Sequence, residues 1–197
     1  MIRARPRWRL RASPKGGFDV ALPAEERQLL AELPERLTAA LDEIEPGDDV
    51  PEQLGRLFPV AHPRDPEAEA DFEARARPSL FAHHRESLEC LIRTADKKHL
   101  SEQELHAWLA ALNDLRLVLG TSLGVTEEVG EPDPADARYA DWLCYHYLSY
   151  LTGEVVDVLS GTLPPVGAAD DVELPEDPWG EPLGGLRWDG TPMPEDS

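Results

Sequence analysis

Any chemistry in this sequence has to come from six histidines, two cysteines and a run of arginines. His62, His83, His84, His99, His106 and His146 contain no His-x-x-x-His or His-Glu-x-x-His pair, and Cys90 and Cys144 have no Cys-x-x-Cys spacing. His83 with Glu86, or His84 with Glu89, would set a base beside a carboxylate, and His99 and His106 would share a helix face. One reading is therefore a small helical hydrolase or metal-dependent enzyme using His83, His84, Glu86 and His106. The plainer reading is a set of exposed or singly hydrogen-bonded side chains, since a metal site needs three or four convergent ligands. Cys90 and Cys144 both sit in apolar helical patterns and read as buried thiols. A redox-sensitive bridge between them would need Cα atoms within about 7 Å. No nucleophile elbow, P-loop or dinucleotide fingerprint is present, so neither a catalytic residue nor a cofactor is assigned.

Two polar clusters remain. Arg3, Arg5, Arg7, Arg9 and Arg11 alternate with Ala4, Pro6, Trp8, Leu10 and Ala12, which in a strand puts all five guanidinium groups on one face. Such a ribbon suits an acidic protein surface or nucleic-acid phosphates, or it neutralises the acidic helices of its own chain. Asn113, Asp114 and Arg116 form a denser polar group than their helix requires, suited to a partner contact or to a lock against the hairpin or last helix.

Charge narrows the choice of partner. The 197 residues carry a net charge of −20, divided into +6 over residues 1–17, −18 over 18–161 and −8 over 162–197. The acidic body repels a phosphate backbone, which leaves only the N-terminal arm for DNA. No stretch reaches the length of a membrane span and no signal-peptide pattern opens the chain. The expectation is a cytoplasmic, reduced protein, with a homo-oligomer left open.

The elements that must position these residues follow from periodicity. Strict alternation around Ser13-Pro14-Lys15-Gly16-Gly17 predicts a β-hairpin over 1–22 that packs on the rest of the chain, with Trp8, Leu10, Phe18 and Val20 inward. A helical domain follows over 23–161. Its first helix carries Leu29, Leu30, Leu33, Leu37, Leu41 and Ile44, with Pro34 expected to kink or split it. A short helix spans Pro51–Phe58. Asp65 and Pro66 open a long helix through Ile92, with Pro78 as a second expected kink. Ser101 and Glu104 form a capping box before Leu105, Trp108, Leu112, Leu115 and Leu119, and Gly120 or Gly124 ends that helix. Asp133 and Pro134 are expected to start the last helix, which runs to about Leu159. It is apolar most of the way round and so is expected at the centre. Residues 162–197 hold nine acids with seven prolines and read as a disordered tail. The fold class is mainly α: a bundle of about five helices with an N-terminal β-hairpin.

Trp108 to Gly124 resembles the signature of an actinobacterial domain-of-unknown-function family that includes the AosR-type oxidative-stress transcriptional regulators. The resemblance extends over most of residues 7–160, through the basic Trp-containing strand, the Gly-Gly turn, Asp-Pro-Glu-Ala before the long helix and Tyr-x-x-Trp-Leu in the last. It implies a non-enzymatic cytoplasmic regulator acting through a protein partner of the transcription machinery, such as a sigma factor. In the family's proposed redox mechanism the sensor is a Cys-x-x-x-Cys pair. This sequence has none, so only Cys90 and Cys144 could take that role.

Overall fold

The alternating segment pairs as its pattern requires. In the computed structural model, which describes residues 8–45, 48–126 and 132–161, β1 (Leu10–Ala12) runs antiparallel to β2 (Phe18–Val20), with Leu10 opposite Val20 and Ala12 opposite Phe18. The register sets Leu10 and Val20 into the core. A third strand, β3 (His99–Leu100), pairs with β2 and makes a three-stranded sheet. Two residues carry no readable alternation, so β3 has no signature in the sequence.

The hairpin turn demands its glycines. Gly17 has φ +68°, and a Cβ there would lie 2.5 Å from the Leu100 carbonyl oxygen and 2.9 Å from His99 Nε2. Gly16 has φ +84° but open space around it. Both substitutions by alanine carry the left-handed backbone penalty, and Gly17→Ala adds a collision with β3. We expect Gly17→Ala to cost about 2 kcal/mol or more and clearly more than Gly16→Ala. Equal urea midpoints for the two variants would refute this use of Gly17.

Four α-helices and a 3₁₀ helix complete the described residues: α1 (Ala24–Asp42), the 3₁₀ helix Glu52–Leu57, α2 (Pro66–Thr94), α3 (Glu102–Ser122) and α4 (Tyr139–Ser160). Asp65 caps α2, accepting from the Ala68 N–H, and Ser101 and Glu104 close the reciprocal box at the start of α3. Pro34 and Pro78 neither split nor restart their helices. Each removes one backbone hydrogen bond, but Leu30, Leu33, Leu37 and Leu41 tie α1 to the core on both sides of Pro34, and α2 continues likewise into Leu88 and Leu91. The start of α4 is also later than its sequence suggests. Asp133 accepts from the Ala135 N–H and Asp136 from the Arg138 N–H, so both side chains close local turns and helix begins only at Tyr139.

The central helix is α3, not α4. It packs against α4, α2, the 3₁₀ helix, α1 and β3, whereas α4 lies against α3 and β1. The apolar girth of α4 comes partly from half-buried rings that meet one another: Tyr139 stacks on Trp142 at 6.1 Å, and Trp142 meets His146 at 4.1 Å. At the middle of α3 the indole of Trp108 is fully buried and donates to Thr94 Oγ1 at 2.6 Å, while that hydroxyl donates to the Cys90 carbonyl. Among the described residues, no helix is long and apolar enough to cross a membrane. Arg3, Arg5 and Arg7 and the acidic segment 162–197 lie outside the described residues.

Candidate functional site

Where α1 and α3 diverge, the 3₁₀ helix fills part of the gap and leaves a cleft of about 590 Å³. Leu37 and Ala40 of α1, Ile44 just beyond its end, Leu54 of the 3₁₀ helix, and Val118 and Leu119 of α3 line it. The exposed carboxylates of Glu43, Asp48 and Asp49 stand at its edge. Arg36, on the same wall, has Asp141 of α4 within electrostatic reach. The last turn of α1 holds no basic residue of its own, and Arg85 of α2 reaches that end, donating to the Leu41 carbonyl at 3.4 Å.

Next to the cleft lies a buried His-Asp pair. His84 Nδ1 is 2.7 Å from Asp114 Oδ2, and Nε2 is 3.2 Å from the Leu57 carbonyl. Both neighbours are acceptors, so the imidazole bonds both fully only when both nitrogens carry protons. Burial alone would lower its pKa, but the Asp114 carboxylate and the Leu57 carbonyl outweigh it and raise His84 above its ordinary 6.5. A charged imidazole with both N–H groups engaged has no lone pair to offer as a general base. The pair ties α2 to α3 and to the end of the 3₁₀ helix. Neighbouring His83 and Glu86 point outward on α2, and His106 lies on α3 beside Glu102 at 3.9 Å, also exposed. The fold thus buries His84 away from exposed Glu86 and His106, leaves His83 exposed with its ring 6.1 Å from that of His84, and gives His84 Asp114 rather than Glu89. His99 stands on β3, paired with Asp19 at 3.2 Å, so it shares no helix face with His106. No group of three or more metal-capable side chains occurs among the described residues.

A second buried cluster takes Arg9 out of the cationic ribbon. Its guanidinium meets the Glu26 carboxylate through Nε at 2.8 Å and Nη2 at 2.7 Å, and Tyr147 donates to the same carboxylate at 2.9 Å. All three side chains are buried, joining the hairpin to α1 and α4. Burial, then the Glu26 charge, pushes the Tyr147 phenol well above its ordinary 10, so it remains a donor. Arg11 stays on the outer face, 3.4 Å from Asp19 and stacked over the Trp8 ring at 4.0 Å. Paired strand begins at Leu10, and the two described residues before it depart from the expected pattern: Arg9 turns inward to a buried acid, and Trp8 lies half-buried under Arg11 rather than in the core.

One family profile, that of a domain of unknown function (DUF2017), matches residues 5–159. The chain belongs to the DUF2017 family. No curated protein and no solved structure matches it.

Within this DUF2017 domain the Trp108–Gly124 segment covers most of α3 and the turn that ends it. Asn113 accepts from Arg116 Nη2 at 2.9 Å on a partly buried face, while Asp114 turns the other way to His84. The three residues therefore form two separate contacts, and the lock runs to α2 rather than to the hairpin or α4. Gly120 leaves room for the Tyr145 ring, which a Cβ would approach to 3.0 Å.

The cysteines of the DUF2017 domain are both free and buried, Cys90 on α2 and Cys144 on α4. Burial, helped by nearby Asp141, pushes the Cys144 thiol up to about 12. Its thiolate fraction near pH 8 is then roughly a thousandfold below that of an ordinary cysteine. Iodoacetamide should leave Cys144 unmodified in the folded protein and label it once denaturant is added. Labelling at the rate of free cysteine without denaturant would contradict this burial.

Sequence reasoning missed the cleft, because its walls come from three elements distant in sequence. It also missed Arg27, which donates to the Ala95 and Lys97 carbonyls and closes the C-terminal end of α2.

Proposed function

We propose that this protein is a non-enzymatic regulator that works in the cytoplasm by binding a protein partner from the transcription machinery, such as a sigma factor. The observation that supports the reading best is the surface cleft between α1, the 3₁₀ helix and α3, an apolar floor inside a carboxylate rim. Apolar floors with charged edges are what protein interfaces use: the floor gives affinity and the rim selects the partner. The transcription side of the proposal rests on the likeness of Trp108–Gly124 to the AosR-type regulators. The internal engagement of His84, Asp114, Arg9 and Glu26 points the same way, since the strongest charged groups are spent on holding elements together.

The test is affinity capture of the tagged full-length protein from its native host, followed by mass spectrometry. A transcription component recovered in near-stoichiometric amount is the expected result. Recovery of no protein above background would overturn the proposal.

A further inference from the structure

We infer that the cleft receives an amphipathic helix of the partner whose flanks are basic. The inference rests on the binding role proposed above and adds the chemistry of the occupant. The floor alone would suit any apolar guest, so the commitment comes from shape and charge.

The shape is that of an open trough rather than an enclosed chamber. Ile44 lines the cleft on one side and, on the other, a second groove of about 710 Å³ between the end of α1 and the α2 residues Ala70, Ala74 and Phe81. The two depressions flank the Ile44 side chain just past the end of α1. A helix with apolar residues at i, i+3, i+4 and i+7 is the element that presents a continuous apolar stripe to such a trough.

Carboxylates outnumber cations along this path, five to three. Glu43, Asp48 and Asp49 edge the first groove and Glu45 and Glu73 the second. Arg36 lines the first groove and Arg77 and Arg85 the second, and all three are engaged within the fold. Arg85 pairs with Asp42 at 2.6 Å, Arg77 donates to the Asp48 carbonyl, and Arg36 faces Asp141. With that excess of carboxylates, the trough attracts lysine and arginine and repels an acidic guest. A second copy of this chain, at −20, is disfavoured for the same reason, as is the −8 segment 162–197.

The probe is a pair of synthetic labelled helical peptides with the same leucine stripe, one with arginine flanks and one with glutamate flanks. Both are titrated into the full-length protein and followed by fluorescence anisotropy. Two variants test the site: Val118→Arg in the floor, and Glu43→Lys/Asp48→Lys/Asp49→Lys at the rim. All substituted side chains are exposed or half-buried, and circular dichroism checks that each variant folds. The expected result is binding of the arginine peptide alone, weakened at least tenfold by either variant, with binding of wild type falling steeply as salt rises. Equal binding of both peptides, or binding unchanged by both variants, would overturn the inference. So would a concentration-dependent dimer of the wild type that Val118→Arg dissolves, since a second copy would then be the occupant. The two proposals fail differently. A native partner still captured by both variants removes the trough and leaves the regulator standing, whereas no captured partner for the wild type removes the regulator itself.

Discussion

Glu26→Ala is expected to lower the unfolding free energy by about 3–5 kcal/mol, because it leaves the Arg9 guanidinium buried without its carboxylate. That is about a fifth or more of the stability of a typical domain. Arg9 cannot move to water cheaply, since the hairpin that carries it is pinned by Leu10 and Val20 in the core. Tyr147→Phe should cost less, about 1–2 kcal/mol, as it removes one donor while the ion pair survives. The triple variant Arg9→Met/Glu26→Leu/Tyr147→Phe should recover most of the loss, since apolar groups of similar size remove both charges together with the phenol that would otherwise lose its acceptor. Urea unfolding orders the variants directly. A Glu26→Ala unfolding free energy within about 0.5 kcal/mol of wild type, or a triple variant no better than Glu26→Ala, would show that the pair does not hold the hairpin.

This cluster also shows how far the sequence could be read. Helices were legible wherever leucines recur every three or four residues behind a cap, as in α3 after Ser101 and Glu104, because that periodicity is imposed by the one buried face. The hairpin was legible from alternation and from Gly16-Gly17. Two kinds of information were not. Proline reads as a breaker at Pro34 and Pro78, yet a single missing hydrogen bond is outweighed where α1 buries leucines before and after Pro34 and α2 buries Leu88 and Leu91 after Pro78. Partnership across long separations was the other. Nothing local in Arg9, Glu26 and Tyr147, or in His84 and Asp114, says that they meet, and each was read instead by its neighbours along the chain. The ribbon of alternate arginines was the clearest local pattern, and the buried carboxylate of Glu26 breaks it at Arg9. The cleft was illegible for a related reason. A surface depression is what is left over where α1 and α3 fail to meet, and no residue pattern encodes a gap.

The His84–Asp114 pair should make stability depend on pH in a direction that can be worked out in advance. The folded state raises the His84 pKa above its ordinary 6.5, so folding takes up proton affinity. Its contribution is fully present below about pH 6.5 and is lost as pH rises through the folded value. Asp114→Ala removes the carboxylate that offsets burial, so His84 must then stay neutral in the folded state. The variant is penalised most where the unfolded chain would hold the proton. Asp114→Ala should therefore cost about 3–5 kcal/mol at pH 6 and less at pH 9, because the contribution of the wild-type pair falls as pH rises above the ordinary value of the unfolded histidine. The effect reaches the cleft through Leu57. The protonated imidazole donates to that carbonyl at the end of the 3₁₀ helix whose Leu54 forms one wall, so loss of the charge loosens the wall as well as the core. Denaturant midpoints of wild type and Asp114→Ala at pH 6 and pH 9 measure the first consequence, and hydrogen exchange at Leu54 and Leu57 measures the second. A difference between the two proteins that stays constant across this range would mean that His84 is neutral in the folded state and that Asp114 acts only as a hydrogen-bond acceptor.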